Sequence, residues 1–228
     1  IIEIQGPNSR DILQKITEAD ISNEALPYFG CVETKIAGID AIVARLGVTG
    51  ELGYEIIYDS GYAWTMYDAL VEGGKDHGLE LCGSKTVGIF RLEKVYHIYT
   101  REIDETTNPF EAGLEAFVNL DKGDFIGRAA LEEQKTCGVP TRLVTLVVEA
   151  GDADACGEES IWNGYDMVGR VTSGGWGHRV GASLALGYID SELSEPGTRV
   201  AVEILDEKRL ATVVRTPHYD PENTKVRA

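Results

Sequence analysis

Arg45-Leu46-Gly47-Val48-Thr49-Gly50-Glu51-Leu52-Gly53-Tyr54-Glu55-Ile56 is the stretch on which the reading of this chain turns. Glycines at 47, 50 and 53 let the backbone turn tightly or approach a neighbour closely. The loop lacks the Lys-Ser/Thr ending of a phosphate loop and does not fit G-x-G-x-x-G, so nucleotide binding is not supported. A strand then runs over Tyr54 to Tyr58. Alternate side chains of a strand share a face, which sets Tyr54, Ile56 and Tyr58 against Glu55 and Ile57. Both faces are largely apolar, so Glu55 is expected to be partly buried. A buried carboxylate needs donors, because leaving it unpaired costs several kcal/mol. Either a protein arginine or a ligand with adjacent N–H groups has to supply them.

Upstream, Ile1 to Ile4 reads as a short strand ended by Gly6-Pro7, and Ile12, Leu13 and Ile16 mark one face of a helix that starts near Ser9. Phe29 to Ile36 and Ile39 to Leu46 read as strands, with a hairpin at Ala37-Gly38. Downstream, Trp64, Tyr67, Leu70 and Val71 recur at helical spacing, and Gly73-Gly74 is expected to stop that helix. A second long helix covers about Ser84 to Val95, and a short one Ala129 to Gln134. From Arg142 the runs become short and β-branched: Leu143–Val148, Val168–Val171, Leu184–Ile189, Val200–Leu205 and Ala211–Val214. Such spacing suggests a sandwich or barrel-like module. The fold class is therefore α+β, with an α+β region over residues 1–138 and an all-β, barrel-like domain over 139–228.

Composition narrows the function. The chain has 228 residues, 21 Lys+Arg and 38 Asp+Glu, a formal net charge of −17 and a pI near 4.6. That balance argues against sequence-independent binding to nucleic acid and against docking on anionic membranes. An anionic ligand would have to be held by local groups against the overall field. Cys31, Cys82, Cys137 and Cys156 lie far apart with no histidine at ligand spacing, so no metal site is expected and a reducing, cytoplasmic setting is. No apolar run is long enough to span a membrane. The opening Ile1-Ile2-Glu3-Ile4-Gln5-Gly6-Pro7 reads as mid-protein sequence, and the expectation is a chain whose front part is absent.

Arg91-Leu92-Glu93-Lys94 ends a helix and is followed by Tyr96 and Tyr99. Arg91 can pair with a carboxylate, Glu55 included, or with a ligand anion through its bidentate fork. Thr172-Ser173-Gly174-Gly175-Trp176-Gly177-His178-Arg179 reads as a loop between strands that could border a pocket. The four histidines, at 77, 97, 178 and 218, are isolated, and no nucleophile has a triad partner nearby in sequence.

Several of these segments together resemble the tetrahydrofolate-binding aminomethyltransferase family, which includes the glycine-cleavage T-protein. The resemblance rests on seven ordered motifs: Ile4-Gln5-Gly6-Pro7; Thr49-Gly50-Glu51-Leu52-Gly53-Tyr54-Glu55-Ile56; Arg91-Leu92-Glu93; Pro109-Phe110-Glu111-Ala112-Gly113-Leu114; Lys122-Gly123-Asp124-Phe125-Ile126-Gly127-Arg128; Val168-Gly169-Arg170-Val171-Thr172-Ser173-Gly174; and Gly177-His178-Arg179-Val180-Gly181. The Lys-Gly-Asp-Phe run, the Gly177–Gly181 segment and Tyr219-Asp220-Pro221 look most like the folate domain of dimethylglycine and sarcosine oxidases and dehydrogenases. The resemblance implies lobes around a folate site, with Glu55 gripping the ring N–H and exocyclic amine of the pterin, and Tyr54 and Val48 beside it. Where many family members carry a tyrosine before Thr-Gly-Glu, this chain has Val48, so only packing is available there. Where the T-protein branch has an arginine for the folate tail, this chain has Val87. Arg91 and Arg227 are then the candidate cations, with Tyr99 a further contact. The family's catalytic aspartate lies upstream of Gln-Gly-Pro, so no catalytic residue is assigned.

The function this implies is passage of an aminomethyl or N-methyl-derived carbon to tetrahydrofolate. A small methylated amine or a lipoyl carrier protein would bring the carbon, and a flavin-containing domain or subunit is a possible partner. Tetrahydrofolate-dependent O- or S-demethylation is one alternative, and a non-catalytic folate-binding protein is another.

Overall fold

The computed structural model describes residues 1–215 and 218–228. They form two compact units, Ile1–Phe90 with Asp220–Ala228, and Arg91–Tyr219.

The first unit is an antiparallel sheet of order β1-β4-β3-β2 with helices on one face. Its strands are β1 (Ile2–Gln5), β2 (Cys31–Ile36), β3 (Ile39–Ala44) and β4 (Gly53–Tyr58). Ala37 and Gly38 join β2 to β3 with φ of 49° and 81°. Two positive φ values make the tight primed turn that matches strand twist. Helix α1 (Ser9–Ile16) buries Ile12 and Leu13, and α2 (Ala63–Gly74) buries Met66 and Leu70. With Tyr54, Ile56, Val43 and Ile36 these form one apolar core.

The core-facing stripe of α2 differs from the expected one. Met66, Leu70 and Gly74 face inward, while Trp64 is 80% exposed. The helix ends at Gly74, as the Gly73-Gly74 pair suggests, and a Cβ at Gly74 would lie 2.5 Å from Leu79 Cβ, so glycine there lets Leu79 pack. The chain then turns at Gly78, whose φ is 68°. Helix α3 spans Ser84–Lys94.

The second unit contains a closed six-stranded barrel of order β10-β5-β8-β7-β6-β9. Its strands are β5 (Thr141–Val148), β6 (Ser160–Asn163), β7 (Asp166–Gly177), β8 (Ala182–Asp190), β9 (Arg199–Ile204) and β10 (Glu207–Val214). Leu146, Ile161, Val171, Ile189, Val202 and Val213 fill it. Closure leaves no strand edge unpaired. The expected division at 138/139 marks where the barrel strands begin, after α4 (Arg128–Cys137). The compact unit starts earlier, at Arg91, because its first residues bond to the barrel. Leu143 N–H donates to the Glu111 carbonyl at 2.8 Å, and the Tyr188 hydroxyl donates to the Glu102 carbonyl at 2.7 Å.

One expectation is corrected. The run Thr172–Gly177, read as a loop, is the second half of β7. Its glycines serve close packing rather than turning. A Cβ at Gly174 would lie 2.4 Å from the Ala155 carbonyl oxygen, and one at Gly169 would lie 2.1 Å from that of Tyr188. β6 carries too short an apolar run to be foreseen.

No helix among the described residues is long and apolar enough to cross a membrane. All four cysteines are free and exposed.

Candidate functional site

The glycine-rich loop is shaped around one side chain. β1 pairs with β4 in the register Glu3↔Glu55 and Gln5↔Gly53. A Cβ at Gly53 would lie 2.0 Å from Gln5 Oε1, and one at Gly47 would lie 2.2 Å from it. The two glycines thus leave the space Gln5 occupies, and Thr49 Oγ1 donates to Gln5 Oε1 at 3.0 Å. Gly50, with φ of 77°, makes the turn between them. The Gln-Gly-Pro and Thr-Gly-Glu-Leu-Gly motifs are two halves of one packing arrangement.

Glu55 stands half-buried on the sheet face away from the core. No group among the described residues donates a hydrogen bond to its carboxylate. Its cross-strand neighbour is Glu3. Burial, and then the charge of Glu55, push the Glu3 carboxyl above its ordinary value. Cross-strand partners sit ~5 Å apart at Cβ, and like charges so placed repel. Gln5 Nε2 donates to Glu3 Oε2 at 3.5 Å, and Glu55 is the acceptor of the pair left without a protein donor among the described residues. Glu3, Gln5 and Thr49 also line a cavity of about 630 Å³ within the first unit.

The remaining expected residues fall as follows. Tyr54, next to Glu55, is fully buried on the opposite face, and its hydroxyl accepts from Arg10 Nε at 2.9 Å. It is a core residue. Val48 is half-buried in the loop. Arg227 is exposed in the first unit, between buried Val226 and Ala228. The Ala228 carbonyl oxygen accepts from Arg10 Nη2 at 2.8 Å and Arg45 Nη2 at 2.9 Å. Arg45 is 2% exposed, and burial, with Arg10 beside it, lowers its pKa.

Arg91 and Tyr99 belong to the second unit. Arg91 is buried, and its partner is Glu102 at 2.8 Å, not Glu55. Glu102 also accepts from the Ile98 N–H at 2.9 Å, Thr172 Oγ1 at 3.0 Å and Ser173 Oγ at 2.5 Å. Consecutive strand residues normally point to opposite faces. The register shift between Val171 and Ser173 turns both hydroxyls onto one carboxylate. The Arg91 guanidinium is thereby held by its own unit. Tyr99 is 60% exposed.

The Arg-Leu-Glu motif proves structural along its length. Leu92 is buried, and Glu93 accepts from Arg179 N–H at 2.6 Å, Arg179 Nε and Val180 N–H at 3.3 Å. The Tyr219 ring lies 3.7 Å from the Arg179 guanidinium. Sequence reasoning missed Glu3, Arg10, Arg45 and Glu102. Glu3 had a signal, the alternation Ile2-Glu3-Ile4-Gln5, but its meaning depends on which strand β1 pairs with. His97 has its Nε2 buried without a hydrogen-bond partner among the described residues, and burial lowers its pKa.

Residues 1–122 match the family described as GCVT N-terminal domain, and residues 141–220 match the glycine cleavage T-protein C-terminal barrel domain. The chain belongs to the glycine cleavage T-protein family. Among its relatives, human mitochondrial dimethylglycine dehydrogenase is 36% identical over 228 residues, covering 100% of this chain and 26% of that protein. The aminomethyltransferase of Rippkaea orientalis is 38% identical over 224 residues, covering 98% of this chain and 59% of that protein. The crystal structure of glycine cleavage system aminomethyltransferase T from Bartonella henselae superimposes with a TM-score of 0.85 at 26% identity, covering 96% of this chain and 59% of that one. The chain thus spans only part of the length of these T-protein relatives.

Proposed function

We propose that this chain supplies part of a tetrahydrofolate site at which an aminomethyl or N-methyl-derived carbon is passed to tetrahydrofolate, the amine leaving as the carbon is taken. The observation that carries the reading is Glu55, a half-buried carboxylate on β4 with no donor among the described residues. The pyrimidine edge of a pterin offers a ring N–H beside an exocyclic amine, which is the paired donor set such a carboxylate accepts. Membership of the T-protein family supports the same chemistry. Catalysis at such a site rests on positioning the folate nitrogen against the carbon and on keeping water away, because methylene-iminium species hydrolyse readily.

The carbon would arrive on a lipoyl carrier or from a methylated amine oxidised by a flavin-containing partner; the similarity to both an aminomethyltransferase and a dimethylglycine dehydrogenase leaves room for either. Calorimetric titration with tetrahydrofolate tests the reading. Saturable binding is expected, weakened about tenfold or more by Glu55→Gln, since one charge-assisted hydrogen-bond pair is lost. Absence of binding, with Glu55→Gln indistinguishable from the parent, overturns it.

A further inference from the structure

The second unit has a small polar cavity of its own. Its volume is about 210 Å³, and its lining includes Arg101, Asp104, Thr107, Glu111, Arg170 and Tyr188. That is below the usual range of small-molecule sites, which limits an occupant to a few non-hydrogen atoms. Both signs of charge share the space. Arg170 and Glu111 have partners already: Arg170 Nη1 pairs with Glu158 at 2.6 Å, and Glu111 accepts from Asn108 Nδ2 at 2.5 Å and Thr141 Oγ1 at 3.3 Å. Arg101 and Asp104 differ. The Arg101 guanidinium makes no hydrogen bond or ion pair among the described residues. Asp104 accepts from the Thr106 N–H at 2.8 Å, Thr106 Oγ1 at 2.7 Å and Thr107 Oγ1 at 3.1 Å, and all three reach Oδ1 and none Oδ2.

Arg101 is carried on a turn whose backbone is fixed. Thr100 has a φ of 75°, which a β-branched residue keeps only where its surroundings over-determine it. Here the Thr100 N–H donates to the Ile103 carbonyl at 2.7 Å, and the Arg101 and Glu102 N–H groups both donate to that of Ile98 at 3.1 Å. Buried Glu102 accepts from the Ile98 N–H at 2.9 Å and closes the turn. With the backbone preset, less has to be ordered when Arg101 takes up a ligand.

We propose that this cavity binds a small α-amino acid as its zwitterion, with the carboxylate at Arg101 and the ammonium group at Asp104. A lone anion would be drawn to Arg101 but repelled by Asp104 and Glu111. A lone cation would meet the reverse at Arg101 and Arg170. A dipolar ion satisfies both sets at once, and Arg101 and Asp104 are open to it because no ion pair joins them among the described residues. Both side chains are exposed, so water and salt weaken the attraction and binding is of millimolar strength.

The test follows backbone amide shifts of the 228-residue chain during titration with glycine, and with acetate and methylamine as probes that carry one charge each. Glycine is expected to give saturating shifts at Thr106, Thr107 and Tyr188 with a Kd of about 1–10 mM, and each single-charge probe to bind at least about tenfold more weakly. Arg101→Gln and Asp104→Asn, both at exposed positions, are each expected to weaken glycine by about fivefold or more. Acetate or methylamine binding as tightly as glycine would overturn the proposal. So would shifts with no sign of saturation at about 100 mM glycine, or an unchanged glycine affinity in both variants.

Discussion

Glu3 and Glu55 face each other across two antiparallel strands, with both side chains on the sheet face turned away from the core. Placing like charges directly opposite is normally avoided, because each raises the free energy of the other's ionised form. That arrangement disfavours the empty fold and favours a bound partner that brings donors.

Replacing Glu3 by Gln should therefore stabilise the ligand-free protein. The Glu3 carboxyl is raised in the fold, so its ionised form weakens the fold once pH climbs above the unfolded value near 4.5, and the penalty is complete above the folded value. Glu3→Gln should gain about 0.5 kcal/mol at pH 7, less at high salt and nothing near pH 3. Denaturant unfolding at the two pH values measures this; a gain that is larger in acid would refute it.

The buried Arg91–Glu102 pair has the opposite sign. Burial pushes the Glu102 carboxyl up, but the hydrogen bonds from Ser173 and the Ile98 N–H, with the charge of Arg91, outweigh it and leave the group below its ordinary value of 4.5. Stability from this group is present above that value and is lost as pH falls through the lowered one. Glu102→Gln leaves Arg91 buried with a neutral partner and should cost about 3 kcal/mol at neutral pH. It should also flatten the acid limb of a thermal-stability profile, and an unchanged acid limb would count against the assignment.

The loop glycines can be tested through Gln5. Gly53→Ala places a methyl group against the end of the Gln5 side chain, which can swing aside at the cost of its hydrogen bond from Thr49, so a loss of about 1 kcal/mol follows. Combining it with Gln5→Ala should cost less than the sum of the two single changes, because the two residues share one space. Strict additivity in a double-mutant cycle would show that the glycine is needed for another reason.

Glu93 fastens the segment that follows β7 through the N–H groups of Arg179 and Val180. Glu93→Ala removes Oε1, the acceptor the two N–H groups share. Amide exchange at those two positions should quicken about tenfold or more, while the barrel-core amides of β5 and β8 change far less. Uniform acceleration across the barrel would indicate global destabilisation instead.

Much of this architecture was legible in the sequence, since strand alternation, hairpin dipeptides and short β-branched runs report local geometry. Ala37-Gly38 places the hairpin turn, and the alternation around Glu55 gives its half-buried state. What stayed hidden depends on partners distant along the chain. Gly174 looks like a turn residue until Ala155 is seen against it. Arg91 looks available to a ligand until Glu102 and Ser173 are found around it. Tyr54 belongs to the folate motif by position, yet its own strand turns it into the core. A motif records which residues are needed together, and does not by itself separate those that touch a ligand from those that hold the frame.

The grip of Arg10 and Arg45 on Ala228 bears on the order in which the chain can assemble. Residues 220–228 complete the first unit, while residues 91–219 make up the second. On a ribosome the first unit begins to emerge earlier but cannot close until residue 228 has left the tunnel, and the barrel can fold in the interval. Throughout that wait Arg45 lacks the distant acceptor that lets it stay buried. Of the two units, the one that begins to emerge earlier is the one completed later, and chains released before residue 228 would carry an intact barrel and an unlatched sheet.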